Sequence, residues 1–415
     1  MKRVVITGLG AITPIGKNVN QYWENLLKGV SGANKITRFN ASKFKTQFAC
    51  EIKDYDALDY FDRKEARKLD RFSQYGLISA EEAIKDANLD FSKLDTNRIG
   101  VIFSSGIGGF ETFEKEIIDY VNNNFKPRFN PFFIPKIISN GLSGIISINN
   151  GLRGVNYCPV TACASSTQSI IQSFNYIRLG KADIIIAGGS EAPITESSIG
   201  GFNAMKAMST NNENFSSASK PFDTNRDGFV VGEGAGALII ESLDSALKRN
   251  ANIYAEIVGG GESSDAYHIT GTHPEGLGAY LAMENGIKEA KITPNEIEYI
   301  NAHATSTGLG DLSEIKAIER LFKSSIEKVQ ISASKSMTGH LLGGTGAIEA
   351  ISTCLSVKTD LIPPTINTTE IDKNIPKELN LSLGETSSKK VNYALSNSFG
   401  FGGHCSAMIL KKYVG

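Results

Sequence analysis

The chain has 415 residues, with 43 Lys and Arg against 44 Asp and Glu and a formal net charge of −1, so no global field marks it as a nucleic-acid binder. Apolar residues make up 41% and charged residues 21%, an ordinary globular composition in a chain long enough for two core-forming units. No apolar run approaches the roughly 18 residues that a membrane span needs, and the five cysteines, none in CxxC spacing, argue against a disulfide framework or a zinc site.

The N-terminus, MKRVVITGLG, passes from two basic residues straight into a β-branched strand pattern. It has no apolar signal core, so a cytoplasmic location is expected, a trimmed organellar protein being the alternative that would look the same. Gly8-Leu9-Gly10 follows, but Thr13 breaks the dinucleotide fingerprint, which leaves the glycines to tight turns between layers. In chain order, periodicity predicts a strand over 4–6, helices over 19–27 and 63–86, and a strand over 99–103. Within the second helix Arg63, Lys64, Arg67, Lys68 and Arg71 share one face at three- and four-residue spacing, either a docking stripe for an acidic partner or a solvated face. Residues 104–150, with Phe125, Phe129, Pro131, Phe132 and Phe133, read as an insertion that serves as a cap, a partner interface or packing under a long loop.

A strand over 155–160 then leads through Thr161-Ala162-Cys163-Ala164-Ser165-Ser166 into a helix over 167–179. This places a cysteine among small neighbours on a sharp turn at a helix N-terminus. There the helix dipole is expected to lower the thiol pKa from about 8.5, and free N–H groups can bind a developing oxyanion. The layout resembles the nucleophile elbow of acyl-transfer enzymes; a packed core cysteine is the alternative at this point.

Strands follow over 182–187, 235–241, 253–258, 298–301, 329–332, 391–395 and 407–410, with helices over 278–290, 311–322 and 347–357. This alternation predicts an α/β layered fold. His303 ends one strand, and Asp311 with Glu314 behind it reads as a capped helix start. His340 follows Lys335-Ser336-Met337-Thr338-Gly339 in a second strand-end loop. At such open ends a histidine can exchange a proton or donate to a carbonyl, although a lone loop histidine is more often solvated. His268, His273 and His404 have no comparable setting, and of these only His404 stays open as a candidate. The segments around Cys163 and His340 share the order strand, tight loop, helix, which suggests two related halves, 1–255 and 256–415. Gly400-Phe401-Gly402-Gly403 describes a mobile loop that can gate a pocket.

The motifs VVITGLGAITPIG, SSGIGG, TACASS, GGSEA, KPFDTNRDGFVVGEGAG, SSDAYHIT, NAHATST, KSMTGHLLGGTG, PPTIN and SNSFGFGG run nearly end to end. Together they resemble the β-ketoacyl-acyl-carrier-protein synthases, most closely the elongating type II members. The resemblance implies a thiolase-like five-layered α-β-α-β-α sandwich, a homodimer, and no required cofactor. It also implies decarboxylative condensation of an acyl thioester with malonyl-acyl-carrier protein in fatty-acid elongation.

Carried over motif by motif, Cys163 is the acylated nucleophile, His303 and His340 act on the malonyl thioester, and Lys335 holds the His340 region electrostatically. The N–H groups of Cys163 and Phe401 form the oxyanion hole, and Phe399 and Phe401 belong to the gate. Thr305 and Thr307 contact the phosphopantetheine arm, while Ile107 and Phe202 line the acyl pocket. Lys64, Arg67, Lys68, Lys126, Arg128 and Lys206 match basic carrier-docking positions. Asn301, Glu349, Ser396 and Asn397 match positions that hold a structural monovalent cation in some relatives. The chain departs from the family pattern at Ala304, Gly308 and His404-Cys405, which bears on substrate preference. A polyketide or aryl-polyene condensing enzyme is the nearest alternative. A non-catalytic chain-length subunit and a Cys-His thioesterase are further ones, and the first is opposed by the presence of the cysteine with both histidines.

Overall fold

The structure is a computed structural model that describes residues 1–415, the side chain of Ser324 excepted. Fifteen strands occur in chain order: β1 (Val4–Ile12), β2 (Asn34–Lys35), β3 (Phe48–Ala49), β4 (Ile99–Ser104), β5 (Asn156–Tyr157), β6 (Ile184–Glu191), β7 (Gly234–Ser242), β8 (Ala255–Ser264), β9 (Tyr299–Asn301), β10 (Gln330–Ser332), β11 (Leu361–Ile362), β12 (Asn380–Leu381), β13 (Ser387–Ser388), β14 (Tyr393–Gly400) and β15 (His404–Lys411). The helices are α1 (Val19–Leu27), α2 (Arg63–Ala66), α3 (Arg71–Asp86), α4 (Phe110–Asn122), α5 (Phe133–Ile137), α6 (Gly141–Asn150), α7 (Ser165–Arg178), α8 (Glu196–Ala204), α9 (Leu243–Lys248), α10 (Leu277–Ala290), α11 (Gly308–Phe322), α12 (Lys335–Thr338) and α13 (Thr345–Thr359).

Eleven strands form one sheet in the order β12-β10-β9-β14-β15-β8-β1-β7-β6-β4-β5. Outward from the central antiparallel pair β1 and β8, the order β1-β7-β6-β4-β5 on one side repeats as β8-β15-β14-β9-β10 on the other. The senses repeat too: β4 lies parallel to β5 and β6, and β9 parallel to β10 and β14. Helices α7 and α13 pack on each other and on strands of both halves, while α3 covers β1 and β7 outside one half and α10 covers β8 and β15 outside the other. The result is five layers, α-β-α-β-α. The central helices are accordingly buried nearly all round, with Ile170, Ile171, Ile348 and Ile351 at 0% exposure.

Several elements differ from the periodicity reading: the strand expected over 155–160 shortens to β5, the one over 253–258 runs on to Ser264 as β8, and two further differences have a visible cause. Helix 63–86 is broken, because Asp70 turns its buried carboxylate onto the N–H of Phe72 and onto Thr112 of α4, capping a new helix at Arg71. Gly8 and Gly10 lie within β1 rather than in a turn. A Cβ at Gly10 would stand 1.9 Å from the Ser79 carbonyl oxygen, so the glycine admits α3 against the sheet. Residues 104–150 fold into α4, α5 and α6, with Phe113, Phe129 and Phe133 stacked in a row. Among the described residues, no helix is long and apolar enough to cross a membrane.

Candidate active site

Beyond β5 the chain enters a 3-10 turn, Ala162–Ala164, that runs directly into α7. Ala162 has φ 51°, a left-handed conformation that a non-glycine residue adopts only under constraint. This reversal sets Cys163 at the mouth of α7, 8% exposed. The second half repeats the device. Leu342 has φ 46° and opens the 3-10 turn Leu342–Gly344, which feeds α13. Gly343 stands there at the place that corresponds to Cys163.

The backbone N–H groups of Phe401 and of Cys163 itself lie near enough to the thiol to pull its pKa down. Burial pushes that thiol up to about 12, against the pull of Lys335 and the two N–H groups. The direction is opposite to the one expected from the helix terminus, because desolvation is the largest influence on the buried thiol. Phe401 comes this close because Gly400 precedes it. A Cβ at Gly400 would lie 2.5 Å from the Thr161 carbonyl oxygen and 3.0 Å from the Cys163 nitrogen. Gly400→Ala is expected to slow covalent modification of Cys163 about tenfold or more. Timed iodoacetamide labelling followed by intact-mass analysis checks this, and an unchanged rate would mean that β14 yields without moving the N–H groups.

His303 and His340 arrive from the ends of β9 and of the α12 turn, and their rings meet edge to face at 5.4 Å between centroids. Phe399 packs against His303 at 5.6 Å, and Phe229 against His340 at 5.6 Å. Both imidazoles are buried, and desolvation followed by the nearby Lys335 cation holds their pKa values well below the usual 6.5. They are neutral. His340 Nδ1 lies 3.0 Å from the Thr345 hydroxyl; with that hydroxyl donating, the ring proton sits on Nε2. His303 Nδ1 has no partner.

The His303 loop is held from below by Glu314, whose carboxylate accepts the N–H groups of His303 (2.9 Å) and Ala304 (2.8 Å) and Nδ2 of Asn397 (2.9 Å). Glu314 thus supports the loop instead of the helix start. Asp311 accepts from Phe222 N (2.9 Å) and Thr307 N (3.3 Å), and Arg226 donates to the carbonyls of Thr307 (3.1 Å) and Gly308 (2.8 Å). These groups fix Thr305 and Thr307, whose hydroxyls are 3.1 Å apart. The sequence reading missed Arg226 and the loop-holding role of Glu314. Their only local signal was an arginine in a glycine- and acid-rich motif and an acid eleven residues beyond a histidine, neither of which states a partner.

Lys335 does not face the cavity. Its ammonium is 2.6 Å from Glu349 Oε1, with the two side chains 1% and 0% exposed. The second oxygen of Glu349 is unpartnered, as are Asn301 Oδ1, Ser396 Oγ and Asn397 Oδ1, all buried. Asn301 and Ser396 are register partners on the adjacent strands β9 and β14. Burial holds the Glu349 carboxyl up at about 7 against the pull of Lys335.

One cavity of about 480 Å³ collects Cys163, His303, His340, Thr305, Thr307, Phe399 and Phe401, and also Ile107, Phe202 and Lys206. The loop 265–273 forms part of its wall through Asp265 and Thr270 and grips the glycine loop, with Gly402 N donating to the Ile269 carbonyl (2.7 Å) and Asp265 N to that of Gly403 (2.8 Å). His404 is exposed beside Gly402. On the surface, Lys64, Arg67, Lys126, Arg128 and Lys206 are exposed. The basic stripe is interrupted: Arg71 pairs with Glu111 at 2.8 Å, and the exposed Lys68 ammonium lies 5.6 Å above the Phe132 ring.

Residues 1–246 match the family model for the β-ketoacyl synthase N-terminal domain, and residues 254–369 that for the C-terminal domain. The 3-oxoacyl-[acyl-carrier-protein] synthase 2 of Staphylococcus aureus (strain COL) is 48% identical over 415 residues, covering 99% of this chain and 99% of that one. Its namesake in Synechocystis sp. is 44% identical over 412 residues, covering 99% and 98%. Among solved structures, a β-ketoacyl synthase from Burkholderia phymatum superposes with a TM-score of 0.92 at 32% identity over the full length of both chains. So does a chain from a type II PKS acyl-carrier protein in complex with its ketosynthase bound to the hexaketide, at TM-score 0.92 and 32% identity over 99% of this chain and 100% of that one.

Proposed function

The chain belongs to the β-ketoacyl synthase family, and from that premise we propose that it joins an acyl group held on Cys163 to a malonyl unit presented by acyl-carrier protein, in fatty-acid chain elongation. The observation that carries the proposal is the convergence of Cys163, two neutral imidazoles and two backbone N–H groups on one cavity. Curated relatives 48% and 44% identical bear the name 3-oxoacyl-[acyl-carrier-protein] synthase 2, which favours elongation over a polyketide pathway.

The Cys163 sulfur attacks the carrier thioester and the tetrahedral oxyanion is held by the N–H groups of Cys163 and Phe401. Collapse expels the carrier thiol, which takes the proton that Cys163 gave up, and leaves an acyl-enzyme. The malonyl thioester then enters, its carbonyl facing His303 and His340. Loss of CO₂ leaves the bonding electrons as an enolate, to which neutral imidazoles can donate. The enolate carbon attacks the acyl carbonyl, the Cys163 thiolate leaves and regains a proton from solvent, and a β-ketoacyl carrier departs. Lys335 biases both imidazoles toward the neutral form. Incubating the protein with acyl carrier and malonyl carrier and identifying the product tests this reading; release of free acid in place of β-ketoacyl carrier would replace it with a thioesterase.

Thr305 and Thr307 are suited to the pantetheine amides that thread the cavity, Ile107 and Phe202 to the acyl chain, and Phe399 with Phe401 to the gate between them. The acidic carrier docks on the exposed Lys64, Arg67, Lys68, Lys126, Arg128 and Lys206, the last of which lines the cavity. Lys64→Glu combined with Arg67→Glu is expected to raise KM for carrier-bound substrate about tenfold at low salt while sparing small thioesters. Steady-state kinetics at two ionic strengths check this, and an unchanged carrier KM at low salt removes the stripe.

Four unpartnered buried oxygens on Asn301, Glu349, Ser396 and Asn397 fit a hard monovalent cation, since every donor is oxygen. Bound there, the ion would offset the second Glu349 oxygen and brace β9 and β14 behind the histidines. Exchanging potassium and sodium for choline is expected to lower the melting temperature by about 1 °C per kcal/mol of binding lost; differential scanning calorimetry in matched buffers reads it, and identical melts would empty the site.

The homodimer is part of the same proposal. The cap leaves Phe125 63% and Ile134 59% exposed, and β5 ends the sheet with an open edge, the kind of surface a second copy covers. Two related halves meeting at β8 and a cytoplasmic site of action complete the reading.

A further inference from the structure

The motif GGSEA ends β6 with Glu191, and no step above uses it. Its side chain is buried, and four donors close on the carboxylate. Ser105 Oγ (2.7 Å) and Ile107 N (3.1 Å) donate to Oε1; Gly106 N (2.7 Å) and Gly343 N (3.0 Å) donate to Oε2. With hydrogen on all four of these partners, the ionised carboxylate is the form that satisfies them.

Three donors belong to the loop that carries Ile107 into the cavity. The fourth belongs to the 3-10 turn Leu342–Gly344, which follows His340 and mirrors the Cys163 elbow. The segments meet at the limit of contact, since a Cβ at Gly343 would lie 2.3 Å from Gly106 N and 2.6 Å from Glu191 Oε2. Burial pushes the Glu191 acid up while the four donors pull it down, and its charge in turn raises the Cys163 thiol. A buried anion is retained only where its donors are complete, so moving either loop leaves both donors and carboxylate unpaired.

We propose that Glu191 is a positioning residue that clamps the acyl-pocket loop at Ile107 to the turn after His340, and so sets how a long acyl chain lies relative to Cys163. This rests on the condensing reading above. A short acyl group is placed by its thioester alone, whereas a long one must also fit the Ile107 wall, so loosening the clamp penalises long chains selectively.

The test compares wild type with Glu191→Gln, which keeps the shape but turns an amide NH₂ toward two of the four donors. Acylation kcat/KM is measured with acetyl and dodecanoyl carrier thioesters, alongside the thermal melt. A variant that melts cooperatively and whose dodecanoyl-to-acetyl ratio falls about fivefold or more supports the clamp. A ratio held within about twofold overturns it, as does an equal loss on both donors, which is what general loosening of the fold gives. If Glu191→Gln does not fold, Ser105→Ala, which removes one donor of four, is read by the same ratio: a fall of about twofold supports the clamp and an unchanged ratio overturns it. Wild type that accepts neither acyl group overturns the condensing reading and the clamp with it; wild type that acylates beside a variant of unchanged ratio overturns the clamp alone.

Discussion

Intact-mass analysis of the wild-type protein after incubation with acyl carrier is expected to show one added acyl group, and Cys163→Ala none. The loss should be complete within detection, at least about a thousandfold, because alanine has no nucleophile for the neighbouring groups to assist. The variant should fold, since it exchanges one small buried side chain for another. His303→Ala separates the two half-reactions: it should acylate, because the N–H groups of Cys163 and Phe401 are untouched, yet discharge with malonyl carrier about a hundredfold more slowly or worse. Acylated Cys163→Ala, or His303→Ala that discharges like wild type, would each refute the corresponding assignment.

The largest loss of stability is expected at Lys335. Its ammonium and the Glu349 carboxylate are 1% and 0% exposed and 2.6 Å apart, so neither has water as a substitute partner. Lys335→Ala strands the carboxylate and should cost about 3–5 kcal/mol, whereas removing both charges should cost less than the sum of the single changes. A double-mutant cycle in urea measures the difference. Lys335→Ala costing under about 1 kcal/mol would mean that water or an ion replaces the ammonium, and the coupling would vanish. The same substitution also removes the cation that, after burial, holds both imidazoles neutral. Stability and the malonyl half-reaction should therefore fall together.

Most of the elements were legible because burial imposes a period. Helix α1 falls on the expected residues 19–27, and β4, β7 and α10 within a residue or so of their patterns. The break between α2 and α3 was not legible. Basic spacing of three and four continues across residues 67–70, while the cause, Asp70 reaching Thr112, is a contact across 42 positions. The extent of the basic face was not legible for the same reason: Glu111 of the cap takes Arg71 out of it, while Lys64, Arg67 and Lys68 stay exposed.

The proposed reacting groups could be picked out from local sequence alone. A cysteine among small residues at a helix entry and histidines at strand ends are local chemical facts, and the motifs around them identify the family. Tertiary structure alone decided their state. The Cys163 thiol is high and the imidazoles low because desolvation comes from atoms contributed by the whole fold. The supports of the site were decided there too: Glu314, Arg226 and Glu191 act through hydrogen bonds to loops 10 to 152 positions away. Nothing in the local sequence of a buried carboxylate states which donors will surround it, because that partner is chosen only when the layers close.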